Sequence, residues 1–381
     1  MEHLLSERQN EIKEKTASFV QKEIPPQVAA EVDRQDLFPH ELMRKLGDEG
    51  FWKINIPEEY GGDNGSVVDL MVFFEEISKA LPVLAWTAGD VLLYGNNILK
   101  VNGNKQQQDA YLPRLARGEM KFCFALTEPD AGSDAANMQT TAENINGQYT
   151  INGSKVFISG ASVSDIAVTN TRTDANRYGG ITSFLVDTKT PGYQATPIKK
   201  VGYKGSDTCE VFYKDVKVDA RNILGGEACL NRGWEQVMRL LNNERLVLSA
   251  CALGISETIL KEVIQRVREK SRNVRPAGKF QDLEHEVVAM ATGLEAARSM
   301  AYRAGWLESQ GIDCIKETSM TKYYCAETGK KIAWAGMRIL GEKGQAPDSV
   351  TQRLFRDIPV LAIGGGTSQI QKNIIAKLIG F

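Results

Sequence analysis

The spacing of apolar residues changes twice along the chain, and this change constrains the fold more than any single motif does. From residue 1 to about 120 the apolar residues recur every three or four positions, as at Ile12 and Phe19, which predicts helices. From about 121 they alternate with polar residues, and Asn-Gly pairs at 146–147 and 152–153 are typical of β-hairpins. The helical spacing returns beyond Gly233. We therefore predict an α+β chain in three consecutive parts, a helical domain at 1–120, a β domain at 121–229 and a helical domain at 230–381.

Composition and charge narrow the class of protein. The 381 residues are 42% hydrophobic and 25% charged, which is an ordinary globular composition. A formal net charge of −2 and a pI near 6.1 argue against nucleic-acid binding, which needs a clustered basic excess. Charged residues such as Arg239 and Glu244 interrupt every long apolar run, so no membrane span is expected. The first residues lack the basic and apolar regions of a signal peptide, and the expected location is the cytoplasm.

The cysteine and histidine residues do not have the spacing of a metal or disulfide framework. No two of the cysteines form a Cys-x-x-Cys pair, and the three histidines lie far apart in the sequence. We therefore expect no metal site and no disulfide framework. No histidine stands in a motif that would activate a serine or cysteine nucleophile.

Residues 126–134 carry the strongest functional signal, and they read Leu-Thr-Glu-Pro-Asp-Ala-Gly-Ser-Asp. Hydroxyl side chains and bare backbone N–H groups, as at Thr127, Gly132 and Ser133, suit the edge of a flavin and its diphosphate. A Thr-Glu-Pro turn taken alone is more often an ordinary loop. The complete nine residues favour a flavin site, because in this form they are similar to the signature of a known flavoprotein family.

That family is the acyl-CoA dehydrogenase family, which the chain resembles over essentially its whole length. Three further stretches carry the resemblance, namely Pro-Glu-Glu-Tyr-Gly-Gly at 57–62, Gly-Ser-Asp-Thr at 205–208 and Gly-Thr-Ser-Gln-Ile-Gln at 366–371. The resemblance implies an N-terminal helical domain, a middle β-barrel or sandwich domain and a C-terminal four-helix bundle. It also implies an FAD-dependent oxidation of an acyl thioester, in which a carboxylate takes the α-proton and a hydride leaves for flavin N5.

The resemblance assigns flavin contacts to two segments. It implies that Phe124, Leu126 and Thr127 lie against the isoalloxazine ring, with Gly132 and Ser133 at the diphosphate or thioester end. The other side of the flavin would be covered by Phe157, Ile158 and Ser159. For Phe157 and Ile158 the alternative interpretation is plain strand core.

The adenosine half of the cofactor is assigned to residues of the C-terminal part, partly across a subunit boundary. This geometry implies an obligate oligomer, commonly a homotetramer built as a dimer of dimers. Lys270 and Arg272 stand where the family has Arg-x-x-Phe-Gly, so they would either neutralise the diphosphate or form a solvated turn. The other adenosine contacts implied by the resemblance are Gln281, Arg338, Gly341, Thr367 and Gln369.

The catalytic base has two alternative positions in this family. Most members carry it as Glu in a Tyr-Glu-Gly-Thr sequence, but residues 364–367 here read Gly-Gly-Gly-Thr. A smaller group, which includes the isovaleryl-CoA and long-chain enzymes, carries it on a helix before an Arg-Leu pair. Residues 242–246 read Asn-Asn-Glu-Arg-Leu, so the resemblance implies that Glu244 is the base. Without the family, a helical Glu beside an Arg is more often a solvated surface residue.

The substrate hypothesis rests on the missing side chains at Gly364 and Gly365, which leave space for a branch or a ring at Cα. With the base at 244 and Arg338 where most members have Gln, the chain is most similar to the branch that oxidises prolyl groups on a carrier protein in anatoxin-type pathways. The resemblance implies thioester contacts from Ser133, Asn242, Arg245, Gly364 and Gly365.

Several alternatives stay open for the reaction. The first is a short branched acyl-CoA such as isovaleryl-CoA as the substrate. The second is the reverse reaction, in which the protein is an enoyl-thioester reductase. The third is a protein that binds flavin without robust dehydrogenation. The electron acceptor is either O2 or an electron-transfer flavoprotein. His285 either assists oxygen chemistry near the flavin or lies at a surface or interface.

Overall fold

The computed structural model describes residues 5–271 and 281–381. The elements follow one another as helices, then strands, then helices, which confirms the predicted α+β architecture. Of the residues singled out above, only Arg272 lies outside the described part of the chain.

The N-terminal helices pack around one apolar helix. Every residue of α4 (Val67–Ser78) is buried, and α4 contacts both α1 (Glu7–Glu23) and the long helix α8 (Gly233–Ser271) of the C-terminal domain. A helix that is buried on all sides lies in the middle of a core. Pro26 starts a new helix and separates α2 from α1. The helices of this domain are α1 (Glu7–Glu23), α2 (Pro26–Gln35), α3 (His40–Asp48), α4 (Val67–Ser78), α5 (Pro82–Val91), α6 (Ile98–Asn102) and α7 (Lys105–Ala116), and a π-helical turn (Leu92–Asn97) joins α5 to α6.

The middle strands form one curled sheet with its own core. Its hydrogen-bonded order is β1-β4-β2-β3-β7-β6, and β5 pairs with the other side of β4. Apolar residues such as Ile151, Phe184 and Val216 are fully buried inside this sheet. The strands are β1 (Phe122–Ala125), β2 (Thr141–Ile145), β3 (Gln148–Ser159), β4 (Ile166–Arg172), β5 (Ile181–Asp187), β6 (Tyr193–Pro197) and β7 (Thr208–Asp219).

The two Asn-Gly pairs have different roles. Asn146 and Gly147 both have positive φ (55° and 86°) and join β2 to β3 in a tight hairpin, as predicted. The second pair is not a turn, because Asn152 and Gly153 lie inside β3 at a shift in its register with β7. A Cβ on Gly153 would stand 2.6 Å from the hydroxyl oxygen of Thr140, so this glycine allows a close strand approach.

The C-terminal helices form a bundle around α8, which is 39 residues long. Helices α8, α9 and α10 contact one another, and α13 packs on α10. Their bounds are α8 (Gly233–Ser271), α9 (Gln281–Ser309), α10 (Ile315–Leu340), α11 (Glu342–Gln345), α12 (Val350–Asp357) and α13 (Ser368–Leu378).

Among residues 5–271 and 281–381, no group of histidine, cysteine and acidic residues is placed to hold a metal ion. Within the same ranges, none of the helices has the length and apolar character that a membrane span needs. The cysteines are free thiols, namely Cys123, Cys209, Cys229, Cys251, Cys314 and Cys325.

Candidate active site

Glu244 is a buried carboxylate on α8, with 6% of its surface exposed. Its Oε1 atom accepts a hydrogen bond from the hydroxyl of Tyr94 at 3.3 Å and lies 3.7 Å from the position of a Cβ on Gly365. Burial raises the pKa of Glu244, against the opposing effects of Arg245, the Tyr94 hydrogen bond and Lys322. The solvated-surface interpretation of this glutamate is therefore wrong.

The glycine loop at 364–366 is held from three sides. The Nε atom of Arg245 donates to the carbonyl oxygen of Gly365 at 3.3 Å. Gln371 donates to the same oxygen at 3.1 Å and to the next carbonyl oxygen, that of Gly366, at 3.0 Å. Lys322, which is 1% exposed, also donates to that next carbonyl at 2.5 Å. The loop that faces Glu244 is thus fixed by buried side chains of α8, α10 and α13.

Aromatic side chains surround the carboxylate and the glycine loop. The indole of Trp86 lies 3.3 Å from the position of a Cβ on Gly364, so it takes part of the space that this glycine leaves. Trp86 also donates from Nε1 to the hydroxyl of Ser159 at 2.8 Å. Tyr94 stacks on Phe124 with ring centroids 5.6 Å apart and planes inclined by 14°. The predicted opening is therefore lined and partly filled by aromatic rings.

The loop after β1 is anchored by a buried ion pair. Glu128 accepts from the backbone N–H of Gln139 at 2.6 Å and of Thr140 at 2.9 Å, and it pairs with Lys155 at 2.8 Å. Lys155 also donates to the carbonyl oxygen of Leu126 at 3.0 Å. Burial lowers the pKa of Lys155 to about 8, although Glu128 opposes this effect. These bonds fix the backbone of the loop.

The predicted flavin residues of this loop keep accessible surfaces. Leu126 and Thr127 are half-buried, as is Phe124 on β1, while Gly132 and Ser133 are exposed. Exposed hydroxyl and backbone groups beside an aromatic ring match the donors that a flavin edge and a diphosphate require. The residues of this loop therefore fit FAD.

The second segment that the sequence assigns to the flavin, at 157–159, is brought next to the loop by a hydrogen bond from Val156 N to Thr127 O at 2.9 Å. Phe157 has a left-handed backbone (φ 59°) and a side chain that is 66% exposed, which suits a flat aromatic partner. The side chain of Ile158 is buried in the β core, as the strand-core alternative predicts. A flavin contact from Ile158 is thus restricted to its backbone.

The predicted adenosine residues lie at helix ends of the C-terminal domain. Arg338 is exposed and pairs with Glu286 of α9. Gly341 ends α10 with φ 60°, and Thr367 caps α13 by accepting from Ile370 N at 3.2 Å. Exposure is also seen at Gln281, His285 and Gln369, while Lys270 is half-buried.

The predicted thioester residues divide into two groups. Arg245, Gly364 and Gly365 meet Glu244 around the glycine loop. Asn242 is half-buried on α8 and precedes Asn243, whose amide donates to Asn97 of the π-helical turn at 3.1 Å.

Three residues of the site were not found from the sequence, namely Trp86, Tyr94 and Lys322. Trp86 and Tyr94 lie in the N-terminal domain, and Tyr94 is 150 residues from its partner Glu244. Neither stands in a motif, so only the fold brings them to the site. A lysine within the apolar face of α10 was the one available signal for Lys322, since lysines are seldom fully buried without a partner.

Three consecutive protein-family models match nearly all of the chain. These are the acyl-CoA dehydrogenase N-terminal domain at residues 6–119, the middle domain at 123–216 and the C-terminal domain at 231–380.

Individual proteins extend this result. The chain is 37% identical over 378 residues to the 3-(aryl)acrylate reductase of Clostridium sporogenes (strain ATCC 15579), with 98% of both chains covered. It is 36% identical over 365 residues to an acyl-CoA dehydrogenase of Bacillus subtilis (strain 168), with 95% of both covered. Its fold matches the prolyl acyl carrier protein oxidase with a TM-score of 0.91, at 25% identity and with 99% of this chain and 100% of that chain covered. The chain therefore belongs to the acyl-CoA dehydrogenase family, whose members are FAD-dependent oxidoreductases of acyl thioesters.

Proposed function

We propose that Glu244 is the group that takes the α-proton of the acyl thioester. One observation carries this proposal: the buried carboxylate of Glu244 faces Gly365, the position at which most family members carry the base. Glu244 therefore reaches the same point in space from α8.

The surroundings of Glu244 suit proton transfer with carbon. Burial raises its pKa, which strengthens it as a base towards a C–H bond that the thioester has acidified. Arg245 and Lys322 supply positive charge that opposes this effect of burial and favours the ionised carboxylate. Glu244 takes the α-proton, and FAD held by the predicted flavin residues would supply the acceptor for the hydride that leaves the neighbouring atom. The flavin and adenosine contacts predicted from the sequence belong to the same proposal.

For the acyl group we propose a prolyl residue held on a carrier protein and oxidised to a pyrroline or dehydroproline thioester. Gly364 and Gly365 carry no side chains beside Glu244, and Trp86 and Leu248 take part of the space next to them, which suits a compact ring at Cα. The thioester acidifies the Cα proton of proline, and hydride loss beside it gives the unsaturated ring. The structural likeness to the prolyl acyl carrier protein oxidase supports this substrate.

A second candidate is the reverse reaction, the reduction of an aryl-substituted enoyl thioester. The aromatic rings of Trp86, Tyr94 and Phe124 around the site favour an aryl group, and so does the likeness to the 3-(aryl)acrylate reductase. In this direction the protonated Glu244 gives its proton to Cα, and reduced FAD would supply the hydride to Cβ.

The absorbance of the flavin under anaerobic conditions distinguishes these candidates. The oxidised holoenzyme is mixed with prolyl-carrier protein and, separately, with isovaleryl-CoA, and the dithionite-reduced holoenzyme is mixed with an arylacryloyl-CoA. Rapid bleaching by the prolyl-carrier protein alone supports the first substrate, and bleaching by isovaleryl-CoA alone refutes it. Rapid recovery of colour with the arylacryloyl-CoA establishes the reductase. No response in any mixture would contradict catalysis and favour a flavin-binding protein.

We further propose a homotetramer that passes electrons to O2 or to an electron-transfer flavoprotein. Large apolar side chains are exposed on α9 and α10 at Val288, Trp306 and Trp334, with 61%, 55% and 65% of their surfaces accessible. Such side chains are typical of a surface that a partner subunit covers. Light scattering of the holoenzyme should give four chains, and a monomer would contradict this proposal. Reoxidation of the reduced enzyme in air, with and without an electron-transfer flavoprotein, identifies the acceptor.

A further inference from the structure

The π-helical turn Leu92–Asn97 brings Tyr94 to the active site from the N-terminal domain. Short π-helical turns are rare, and they are found frequently at functional sites. Here the ring of Tyr94 stacks on Phe124, and its hydroxyl donates to Glu244 at 3.3 Å.

Buried amides hold this turn in place. Asn55 donates to the carbonyl oxygen of Leu92 at 2.9 Å, and Asn96 donates to Asn55 at 3.0 Å and to the carbonyl oxygen of Trp52 at 2.9 Å. Asn97 accepts from Asn243 of α8, the residue that precedes Glu244, at 3.1 Å. The turn is therefore attached both to its own domain and to the helix that carries the carboxylate.

The protonation of the Tyr94 hydroxyl fixes the direction of its hydrogen bond with Glu244. Burial and the carboxylates of Glu244 and Asp90 raise the pKa of Tyr94, so its hydroxyl stays protonated and donates. The other charged groups around Glu244 are Arg245 on its own helix and Lys322 on α10. The glycine loop opposite contributes no side chain at 365.

We propose that Tyr94 is a positioning residue for Glu244, which orients its carboxylate and weakens its hold on the proton. This inference rests on the proposed role of Glu244 and adds a function for the π-helical turn. A hydrogen bond donated to a carboxylate stabilises the charged form, so it opposes the effect of burial. Tyr94 thereby keeps Glu244 available as a base at a lower pH than burial alone would allow.

The chain provides a matched control for this proposal. Tyr111 packs edge-on against Phe122 with ring centroids 5.6 Å apart, the same separation as between Tyr94 and Phe124. The charged groups near its hydroxyl are Arg114 and Asp187 instead of Glu244. Tyr111→Phe therefore removes a hydroxyl from the same domain without touching the proposed bond.

The test is an infrared titration of the FAD-loaded enzyme, which needs no substrate. The band of the protonated Glu244 carboxyl is identified as the one that Glu244→Gln removes. In Tyr94→Phe this band should titrate at a higher pH than in the wild type, and in Tyr111→Phe it should not move. Incorporation of 3-fluorotyrosine at 94 makes the phenol a stronger donor and should move the titration to lower pH, which a purely structural role would not do. Unchanged titration in Tyr94→Phe, or no response to 3-fluorotyrosine, would overturn the proposal.

A kinetic measurement separates this proposal from the proposed function. In Tyr94→Phe the anaerobic bleaching of the flavin by prolyl-carrier protein or isovaleryl-CoA should slow roughly tenfold. The acidic side of the curve of bleaching rate against pH should also move to higher pH. If the wild type bleaches and the Tyr94→Phe profile superposes on it, the role of Tyr94 is refuted while that of Glu244 stands. If the wild type does not bleach but the infrared titration shifts as expected, the proposed function fails and the Tyr94 bond remains.

Discussion

The carboxylate oxygen Oε1 of Glu244 lies 3.7 Å from the position that a Cβ atom on Gly365 would occupy. Two positions that are 121 apart in the sequence thus meet at one point of the active site, since 365 minus 244 is 121. A side chain at 365 would compete with the carboxylate of Glu244 for this space. The glycine at 365 and the glutamate at 244 are therefore two parts of one arrangement.

The first prediction concerns Gly365→Ala. Gly365 has φ 64°, and its Cβ would stand 2.9 Å from Cδ1 of Leu248. We expect the free energy of unfolding to fall by about 1–3 kcal/mol, because a left-handed backbone and a tight contact both penalise alanine. Flavin bleaching should also slow, since the added methyl group displaces Leu248, which lies one helical turn from Glu244 on α8.

Gly364→Ala is the matched control for this change. Its backbone is not left-handed, and its Cβ would meet Trp86 at the milder distance of 3.3 Å. Chemical denaturation should show a loss below about 1 kcal/mol. Equal losses at 364 and 365 would contradict the explanation given for Gly365.

The second prediction concerns the ion pair of Glu128 with Lys155, which anchors the loop after β1. Lys155→Met leaves the buried Glu128 without its 2.8 Å partner, so we expect about 3–5 kcal/mol of destabilisation and weaker retention of FAD. The double variant Lys155→Met with Glu128→Gln should recover part of the loss, because no buried charge is left unpaired.

Lys217 of β7 serves as the control for this prediction. It is exposed and donates to the hydroxyl of Thr150 at 2.7 Å. Lys217→Met should change stability by no more than about 0.5 kcal/mol. A Lys155→Met protein that retained both its melting temperature and its FAD would show that the pair does not anchor the loop.

The third prediction concerns the dependence of stability on pH. Burial raises the pKa of Asp357 to about 7, against the effects of its hydrogen bond from Tyr203 N and of Arg356. In the unfolded chain an aspartate titrates near about 3.9. The folded state therefore holds this proton more tightly, so its contribution to stability is complete below about pH 3.9 and is lost as the pH rises through about 7.

Asp357→Asn removes this titration and retains an oxygen that can accept from Tyr203 N. Between pH 4 and pH 7 the variant should lose less unfolding free energy than the wild type, by about 1.4 kcal/mol for each pKa unit of difference. The measurement is urea denaturation at a series of pH values. Parallel wild-type and variant curves would contradict the buried, protonated state of Asp357.

The order of the domains could be predicted from the sequence because periodicity records which faces are buried. The change from three- and four-residue spacing to alternation corresponds to the change from α7 to the sheet. Glu244 could be proposed because its Asn-Asn-Glu-Arg-Leu context resembles that of one branch of the family. Its burial confirms that the side chain faces the interior.

The rest of the site depends on contacts that no local pattern records. Tyr94 reaches Glu244 through a π-helical turn, and the apolar run around it looks like ordinary helix core in the sequence. The interior of β3 was also misread at Asn152 and Gly153, because an Asn-Gly pair suits both a turn and a site of close strand approach.

The central claim is that Glu244 takes the α-proton, and the rate of anaerobic flavin bleaching in Glu244→Gln tests it most directly. Glutamine keeps the shape of the side chain and cannot accept the proton as a carboxylate does. With the thioester that reduces the wild type, the variant should bind FAD in full and bleach about 100- to 10,000-fold more slowly. Bleaching of the FAD-loaded Glu244→Gln protein at the wild-type rate would contradict the account.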